Sequence, residues 1–337
     1  MSLVINDTSY AGDFASYFWI PATYNMSTVE KGAVYVKDGI KKKHTIGRVD
    51  FSRPLQPRQA TPISKGVFTI DGRDLEPKDV MLYNEFNPRD FEAHWLAERQ
   101  SPTLLARELP VTAEHYMLQM ALNRSMEQLE NGLWIGSVDY ADNVDEEDPR
   151  FQVQYFDGFI KKMILDAAVR KVANPGPLTA APTGSGNVNI ADAFNAQLSL
   201  AAQYKKALLA KNTRYQRLKF FVSINTEQIY HDFLTTSQTF KGVNTTERGI
   251  NLYKGYEVVP LAGMPDNTVV LAEGLPDTDS NLYVGMNSTE DNQLQLMRLQ
   301  NNSELFFIKG LMKYDVEYGF SEEVFLYTTL TISDFQP

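Results

Sequence analysis

The residue types that most often carry chemistry are few in this chain, and their spacing matches no familiar site. There is no cysteine among the 337 residues, which excludes disulfides, thiolate nucleophiles and cysteine-bound zinc or iron–sulfur centres. The four histidines form no pair four residues apart and no HExxH motif; they are His44, His94, His115 and His231. We therefore predict no catalytic residue, no cofactor, no metal site and no enzymatic activity.

Two loops have some features of ligand sites. Acidic residues cluster at 139–148, and their oxygens could hold Ca²⁺, but the loop lacks the central glycine and the terminal glutamate spacing of an EF-hand. A solvated acidic loop is the better interpretation. Gly184-Ser-Gly186 precedes a predicted helix, yet no Gly-Lys-Ser/Thr follows it. A soluble α+β enzyme whose site escapes motif analysis stays as an alternative, which a deep pocket with convergent polar groups would support.

The net charge of −10 is distributed unevenly along the chain. Residues 40–66 contain seven basic side chains and one acidic one, a net charge of +6, so the rest of the chain carries −16. The seven are Lys41, Lys42, Lys43, Arg48, Arg53, Arg58 and Lys65. Such bipolarity suits copies that meet head to tail; a solvated basic hairpin with no partner is the alternative. Because the chain as a whole is acidic, contact with DNA would be non-specific.

Hydrophobic periodicity predicts a mixed α+β chain. Residues 111–133 form the clearest helix, since apolar side chains recur at helical spacing; they are Leu118, Leu122, Met126, Leu129 and Leu133. Residues 34–80 are predicted to form a long β-hairpin, with a tip at 53–62 where three prolines cannot donate ladder hydrogen bonds. A hairpin of this kind is marginally stable alone and needs a surface to lie on.

Other segments have clear local signals. Helices are predicted after Gly158, after an Asn189 cap, and from an Asn225–Gln228 capping box to about Leu234. A buried strand is predicted at 218–224, and mostly strand from Gly255 onward. Residues 1–33 are rich in aromatic side chains without periodicity, so a partner subunit or the chain's own core must cover them. No apolar run has the roughly eighteen residues that span a membrane, and the N-terminus lacks the features of a secretory signal.

The order of motifs near the C-terminus is the most specific signal. The chain contains Leu252–Pro260, Gly263–Thr268 and Asn281–Gly285, and then a strand ladder through Leu305–Lys309, Met312–Tyr318 and Glu323–Tyr327. Leu129–Gly136 ends the long helix on an aromatic–x–Gly turn. Together these segments resemble the major capsid proteins of tailed bacteriophages, a family with the HK97-like fold that encapsulins share.

The resemblance implies a fold in four parts. Residues 1–33 would be an N-terminal arm, 34–80 an extended loop, 81–137 with 290–337 a peripheral domain that holds the long spine helix, and 138–289 an axial domain. The implied function is self-assembly into the pentamers and hexamers of an icosahedral phage head that encloses double-stranded DNA. An encapsulin-type nanocompartment shell is the alternative.

The same resemblance implies partners and a location. The chain would associate with itself, with a scaffold that we expect to be a separate protein because the arm-like stretch follows Met1 at once, and with portal and decoration proteins. It would assemble in the bacterial host cytoplasm, reside in the virion and contact packaged DNA non-specifically, with no membrane.

We expect the basic hairpin to lie across a neighbouring subunit, because its charge complements the acidic remainder and its proline-rich tip offers little apolar surface for packing on its own chain. The expected acceptors are exposed carboxylates of the long helix and of the acidic loop: Glu114, Glu127, Glu130, Asp145, Glu146, Glu147 and Asp148.

Overall fold

A computed structural model of the protein describes residues 8–11, 22–51, 55–61, 63–87, 111–140, 153–181, 186–204, 217–236, 251–287, 293–299 and 305–336. The helices in these ranges are α1 (Ser27–Glu30), α2 (Val111–Ile135), α3 (Phe159–Leu165), α4 (Ile190–Tyr204) and α5 (Ile224–Thr236). The strands are β1 (Thr8–Ala11), β2 (Tyr35–Lys37), β3 (His44–Phe51), β4 (Phe68–Leu75), β5 (Lys78–Phe86), β6 (Arg170–Lys171), β7 (Leu178–Thr179), β8 (Val188–Asn189), β9 (Leu218–Ser223), β10 (Leu252–Tyr253), β11 (Tyr256–Leu261), β12 (Thr268–Glu273), β13 (Leu282–Met286), β14 (Gln293–Arg298), β15 (Phe306–Tyr318) and β16 (Phe325–Thr328). Two 3₁₀ helices, Ser321–Glu323 and Ile332–Phe335, lie near the C-terminus.

The first sheet is built around the thirteen-residue strand β15. Its order is β1-β14-β15-β13-β2, and β5 also pairs with β15 over nine residues. Along β15 the burial alternates, because one face packs on the core and the other does not. The buried face carries Phe306, Ile308, Met312 and Tyr314, which belong to the same apolar cluster as helix α2.

Helix α2 confirms the helix predicted from the apolar stripe. Its stripe residues are all at most 5% exposed: Leu118, Leu122, Met126, Leu129 and Leu133. At the C-terminal end Trp134 is fully buried, with its ring 5.2 Å from that of Phe159 and 6.4 Å from that of Phe221. The aromatic–x–Gly turn is therefore the point where the long helix meets α3 and the second sheet.

The second sheet has the order β10-β11-β9-β12-β16-β6. Strand β9 is buried at almost every position, because Phe220 and Val222 face α4 and α5 while Phe221 faces the cluster of α2. The predicted turn at 264–267 does connect two strands, β11 and β12, but β9 lies between them in the sheet.

Two local signals are refined by the structure. Asn189 caps α4 as predicted, since its Oδ1 accepts the Ala191 N–H at 2.9 Å. Helix α5 begins earlier than the capping box indicated: Ser223 Oγ accepts the N–H of Thr226 at 3.0 Å, so Ser223 is the N-cap. The serine ends a buried strand, and this position hid its capping role in the sequence.

Part of the N-terminal stretch is covered by its own chain. Ala22, Met26, Val29 and Ala33 are at most 7% exposed and join the core cluster of α2. Strand β1 pairs with β14 at the edge of the first sheet. For the apolar side chains of 22–33, packing on the own core is therefore the correct alternative, whereas Tyr24, the aromatic side chain described there, is 55% exposed.

Two strand pairs join segments that are predicted to lie in different domains. Strand β13 was assigned with 138–289 but pairs with β15 in the first sheet, and β16 was assigned with 290–337 but pairs with β12 in the second. The four-part division stays a prediction. These crossings reflect long-range pairing, which local sequence signals do not contain.

Candidate assembly interface

The predicted hairpin is present and forms a separate two-stranded sheet. Strands β3 and β4 pair over eight positions, from His44 opposite Leu75 to Phe51 opposite Phe68. Among the hairpin side chains that the structure describes, the buried ones lie at its base: Ile46 is 7% exposed and Leu75 is fully buried. Leu75 packs so closely on Gly285 that a Cβ added there would lie 2.7 Å from the leucine side chain. The base thus lies on its own chain, contrary to the expectation for the whole hairpin.

Beyond the base, strand β4 has one apolar and one polar face. Phe68 and Ile70 alternate with Thr69 and Asp71, so the two pairs point to opposite sides of the ribbon. Phe68 is 66% exposed and Ile70 is 77% exposed. The register sets Phe51 opposite Phe68 and Val49 opposite Ile70, so apolar sequence positions coincide on both strands.

The residues of the tip extend this apolar character. Leu55 is 93% exposed, and Ile63 and Val67 are 64% and 68% exposed. Within the tip itself Leu55 is the large apolar side chain that is described as exposed, and Ile63 and Val67 follow closely after the tip. A two-stranded ribbon that exposes several large apolar side chains is typical of a segment that another surface covers.

The basic residues of the hairpin do not form one group. Lys43 pairs within the hairpin, with Asp74 at 2.5 Å and Glu76 at 3.6 Å, and the hydrogen bond to Asp74 raises the pKa of Lys43. Lys41, Lys42, Arg58 and Lys65 are exposed. Arg53 lies outside the described residues, and for Arg48 only the backbone is described.

The carboxylates predicted to accept the hairpin of a neighbouring copy also do not form one group. Glu127 is exposed on α2, where it pairs with Arg124 at 2.5 Å. Glu114 lies in α2, where only its backbone is described, and Asp145, Glu146, Glu147 and Asp148 lie outside the described residues.

Glu130 is not an exposed acceptor, because its side chain is buried. It is 4% exposed, and its carboxylate accepts the backbone N–H of Thr28 at 3.1 Å and the Thr28 hydroxyl at 2.6 Å. Trp134 Nε1 donates to the same hydroxyl at 2.9 Å. Burial raises the pKa of Glu130, although the hydrogen bonds from Thr28 act in the other direction.

The outer face of the first sheet is a second exposed apolar area. Met81 and Tyr83 of β5 are 59% and 47% exposed. In the register Met81 lies opposite Leu311 of β15, and the ring of Tyr83 lies 5.9 Å from that of Phe307. This row, which we call the outer sheet face, consists of Met81, Tyr83, Phe307 and Leu311.

The described residues contain little that suggests ligand chemistry. They include no group of three or more His, Asp or Glu side chains that could hold a metal ion. A depression runs along the exposed side of α2, lined by Gln119, Met120, Asn123, Arg124 and Glu127; its two charged side chains pair with each other. Within the part of the chain that the structure describes, no helix has the length and apolar character to cross a membrane.

Comparison with known proteins defines the fold. No protein-family model matches the sequence, and no curated protein does. Among solved structures, the satellite phage P4 procapsid including the size determination (Sid) protein is similar over 93% of this chain and 98% of that chain, with 9% identity and a TM-score of 0.56. The cyanophage A-1(L) capsid is similar over 91% and 93%, with 14% identity and a TM-score of 0.52.

A third structure, the capsid of the native GTA particle, is similar over 90% of each chain, with 11% identity and a TM-score of 0.50. At these identities the likeness concerns the fold. The chain has the α+β, HK97-like capsid fold expected from its C-terminal motifs and its long helix.

Proposed function

We propose that this protein is the major capsid protein of a tailed bacteriophage, a structural subunit without enzymatic activity. Copies would associate into hexamers and pentamers and close an icosahedral head around double-stranded DNA. The observation that carries the proposal is the projecting hairpin, whose base is packed on its own subunit while its distal apolar face is exposed. The fold shared with capsid structures supports the same function.

The contact made by the hairpin is mainly hydrophobic in this proposal. Fully burying a side chain such as Phe68 or Ile70 contributes about 1.5–3 kcal/mol. An exposed ion pair contributes about 0–1 kcal/mol and weakens as salt is added. The exposed cations Arg58 and Lys65 therefore tune the register and the salt dependence of assembly, whereas Phe68 and Ile70 supply most of its free energy.

The receiving surface on the neighbouring copy is the outer sheet face. It offers apolar side chains on a rigid sheet, with Met81 and Tyr83 the most exposed. Glu85 and Asp79 lie on the same strand at exposed positions, so the surface also carries carboxylates that suit a basic hairpin. Among the acceptors predicted from the sequence, Glu127 and the acidic loop stay as candidates for the rim of this contact.

The partners and location follow from the same proposal. The chain would assemble in the cytoplasm of a bacterial host and reside in the virion, with a separate scaffold, a portal and decoration proteins as partners. Contact with packaged DNA would be non-specific, because the chain is acidic overall.

The test is assembly of the expressed chain, followed by light scattering and negative-stain electron microscopy over a range of salt concentrations. We expect capsomers or closed shells from the unchanged protein. The double variant Phe68→Ser/Ile70→Ser should give a folded subunit that does not assemble. The matched control is Thr69→Ala/Asp71→Ala, which alters the polar face of the same strand and should assemble normally.

The charge contribution is tested separately with Arg58→Glu/Lys65→Glu, which should assemble less well at low salt than the unchanged protein and approach it as salt is raised. An unchanged protein that stays monomeric in every condition, with and without a scaffold, contradicts the proposed function. Particles that contain a protein cargo rather than nucleic acid would favour the nanocompartment alternative.

A further inference from the structure

The base of the hairpin meets the rest of the subunit at a cluster of five charged side chains. Arg73 comes from β4, Lys162 and Asp166 from α3 and its C-terminal end, and Asp315 and Glu317 from β15. Their side chains are between 8% and 32% exposed. Two cations thus share three carboxylates where the hairpin, a helix and the longest strand come together.

Arg73 joins the hairpin to both other elements. One guanidinium nitrogen donates to Glu317 at 2.9 Å, and the other pairs with Asp166. The guanidinium also lies over the ring of Tyr318, with its carbon 4.3 Å from the ring centroid. The Tyr318 hydroxyl donates to Asp166 at 3.0 Å, so the carboxylate that holds the arginine is itself held in place.

Lys162 completes the cluster from the side of α3. Its ammonium group contacts Asp315 at 3.1 Å and Glu317 at 3.3 Å. The other oxygen of Asp315 accepts the backbone N–H of Glu76 at 2.9 Å, one residue after β4 ends. The hairpin is therefore tied to β15 twice, through the Arg73 side chain and the Glu76 backbone.

Directly beyond this cluster strand β4 of the hairpin is no longer covered by the rest of the subunit. Gly72 lies opposite Gly47 in the register, and residues 68–72 of β4 are all exposed. Phe68 lies five residues beyond Arg73, or roughly 17 Å at the rise of an extended strand. At that distance, a rotation of about 10° at the base displaces the apolar face by about 3 Å, enough to misplace its contacts.

We propose that Arg73 is a positioning residue for assembly: it sets the direction in which the hairpin leaves the subunit, without itself contacting the neighbouring copy. The inference rests on the proposed function, since it assigns a role to the hairpin's orientation. It differs from a role in folding, because the charged side chains of the cluster are 8–32% exposed at the edge of the apolar core, which they meet at the ring of Tyr318. Loss of Arg73 should therefore impair assembly more than it destabilises the subunit.

The experiment compares Arg73→Met, Arg73→Lys and Lys43→Met in the full chain. Each variant is measured for urea unfolding of the unassembled subunit and for yield and diameter of particles. Lys43→Met is the matched control, because this cation belongs to the same hairpin but pairs only with Asp74 and Glu76 among the ion pairs of the described residues. Hydrogen exchange at the backbone amides of residues 73–76 reports directly on how firmly the base of the hairpin is attached to the rest of the subunit.

We expect Arg73→Met to lower the yield of uniform particles at least about tenfold, a change that the loss of charge-assisted hydrogen bonds can produce, and to speed exchange at 73–76. Arg73→Lys should recover part of the yield, and Lys43→Met should behave as the unchanged protein does. Uniform particles at full yield from Arg73→Met overturn the inference while leaving the proposed function intact. The core variant Leu122→Ala serves as a stability reference, since it destabilises the subunit without changing a residue of the hairpin. If Arg73→Met loses no more particle yield than Leu122→Ala does for the same loss of unfolding free energy, the inference is also overturned. An unchanged protein that never assembles contradicts the proposed function itself.

Discussion

Glu130 offers the sharpest test of the subunit's internal design, because one carboxylate there holds the N-terminal segment on the long helix. It accepts both the N–H and the hydroxyl of Thr28, in a site that is 4% exposed. Replacing Glu130 with Ala leaves the buried N–H of Thr28 without this acceptor, at a cost of about 1–3 kcal/mol, and opens a cavity. We expect Glu130→Ala to reduce the free energy of unfolding by about 2–4 kcal/mol.

Glu130→Gln separates the hydrogen bonds from the charge. The amide oxygen can still accept from Thr28, so the loss should be smaller than for Ala. Burial raises the pKa of Glu130 above its ordinary value, which means that the folded state binds the proton more tightly than the unfolded state does. The stability contributed by Glu130 therefore falls as pH rises from the unfolded value through the raised folded pKa. Glutamine does not titrate, so its contribution to stability does not change with pH in this way. The difference in free energy of unfolding between Glu130→Gln and the unchanged protein should therefore be more favourable to the variant at pH 7 than at pH 4.

The assay is urea denaturation of the unassembled subunit at several pH values, followed by tryptophan fluorescence. Trp134 donates to Thr28, so its emission reports on the site itself. The reasoning is refuted if Glu130→Ala costs less than about 0.5 kcal/mol, the scale of ordinary surface changes. It is also refuted if the difference between Gln and Glu does not change with pH.

Two further predictions concern local geometry. Ser223→Ala should lower the free energy of unfolding by about 1 kcal/mol, because it removes the cap of α5. Asn225→Ala should lower it by less. Urea denaturation of the two variants measures this, and a larger loss for Asn225→Ala would show that the capping assignment is incorrect. Gly136→Ala should prevent folding or cost more than about 3 kcal/mol, because the added Cβ would press on Phe156 O and lie 2.5 Å from Gly132 O, both backbone atoms. Its control is Gly132→Ala, whose Cβ meets only the Phe156 ring edge at 3.8 Å and which should gain about 0.5–1 kcal/mol within the helix. Equal circular dichroism and thermal unfolding for Gly136→Ala and the unchanged protein would contradict the prediction.

The sequence by itself determined the elements whose signals are local. The apolar stripe of 118–133 predicts helix α2 because i, i+4 spacing makes one face, and the apolar run at 218–224 predicts a buried strand. The hairpin follows from two alternating segments around a proline-rich turn. The absence of cysteine from the sequence excludes thiolate chemistry.

Only the tertiary structure decided what each carboxylate and each apolar side chain does. Glu127 and Glu130 are three residues apart on one helix, yet one is exposed and the other is buried against Thr28, since the partner of Glu130 comes from a segment 102 residues away in the chain. The partners of Arg73, Asp166 and Glu317, lie far from it in the sequence and reach it only through long-range packing. Phe68 and Ile70 alternate as a strand should, but whether their face meets the own core or solvent depends on where the hairpin leaves the subunit. A linear pattern contains the period of a strand or helix; contacts between distant segments are made only when the whole chain packs.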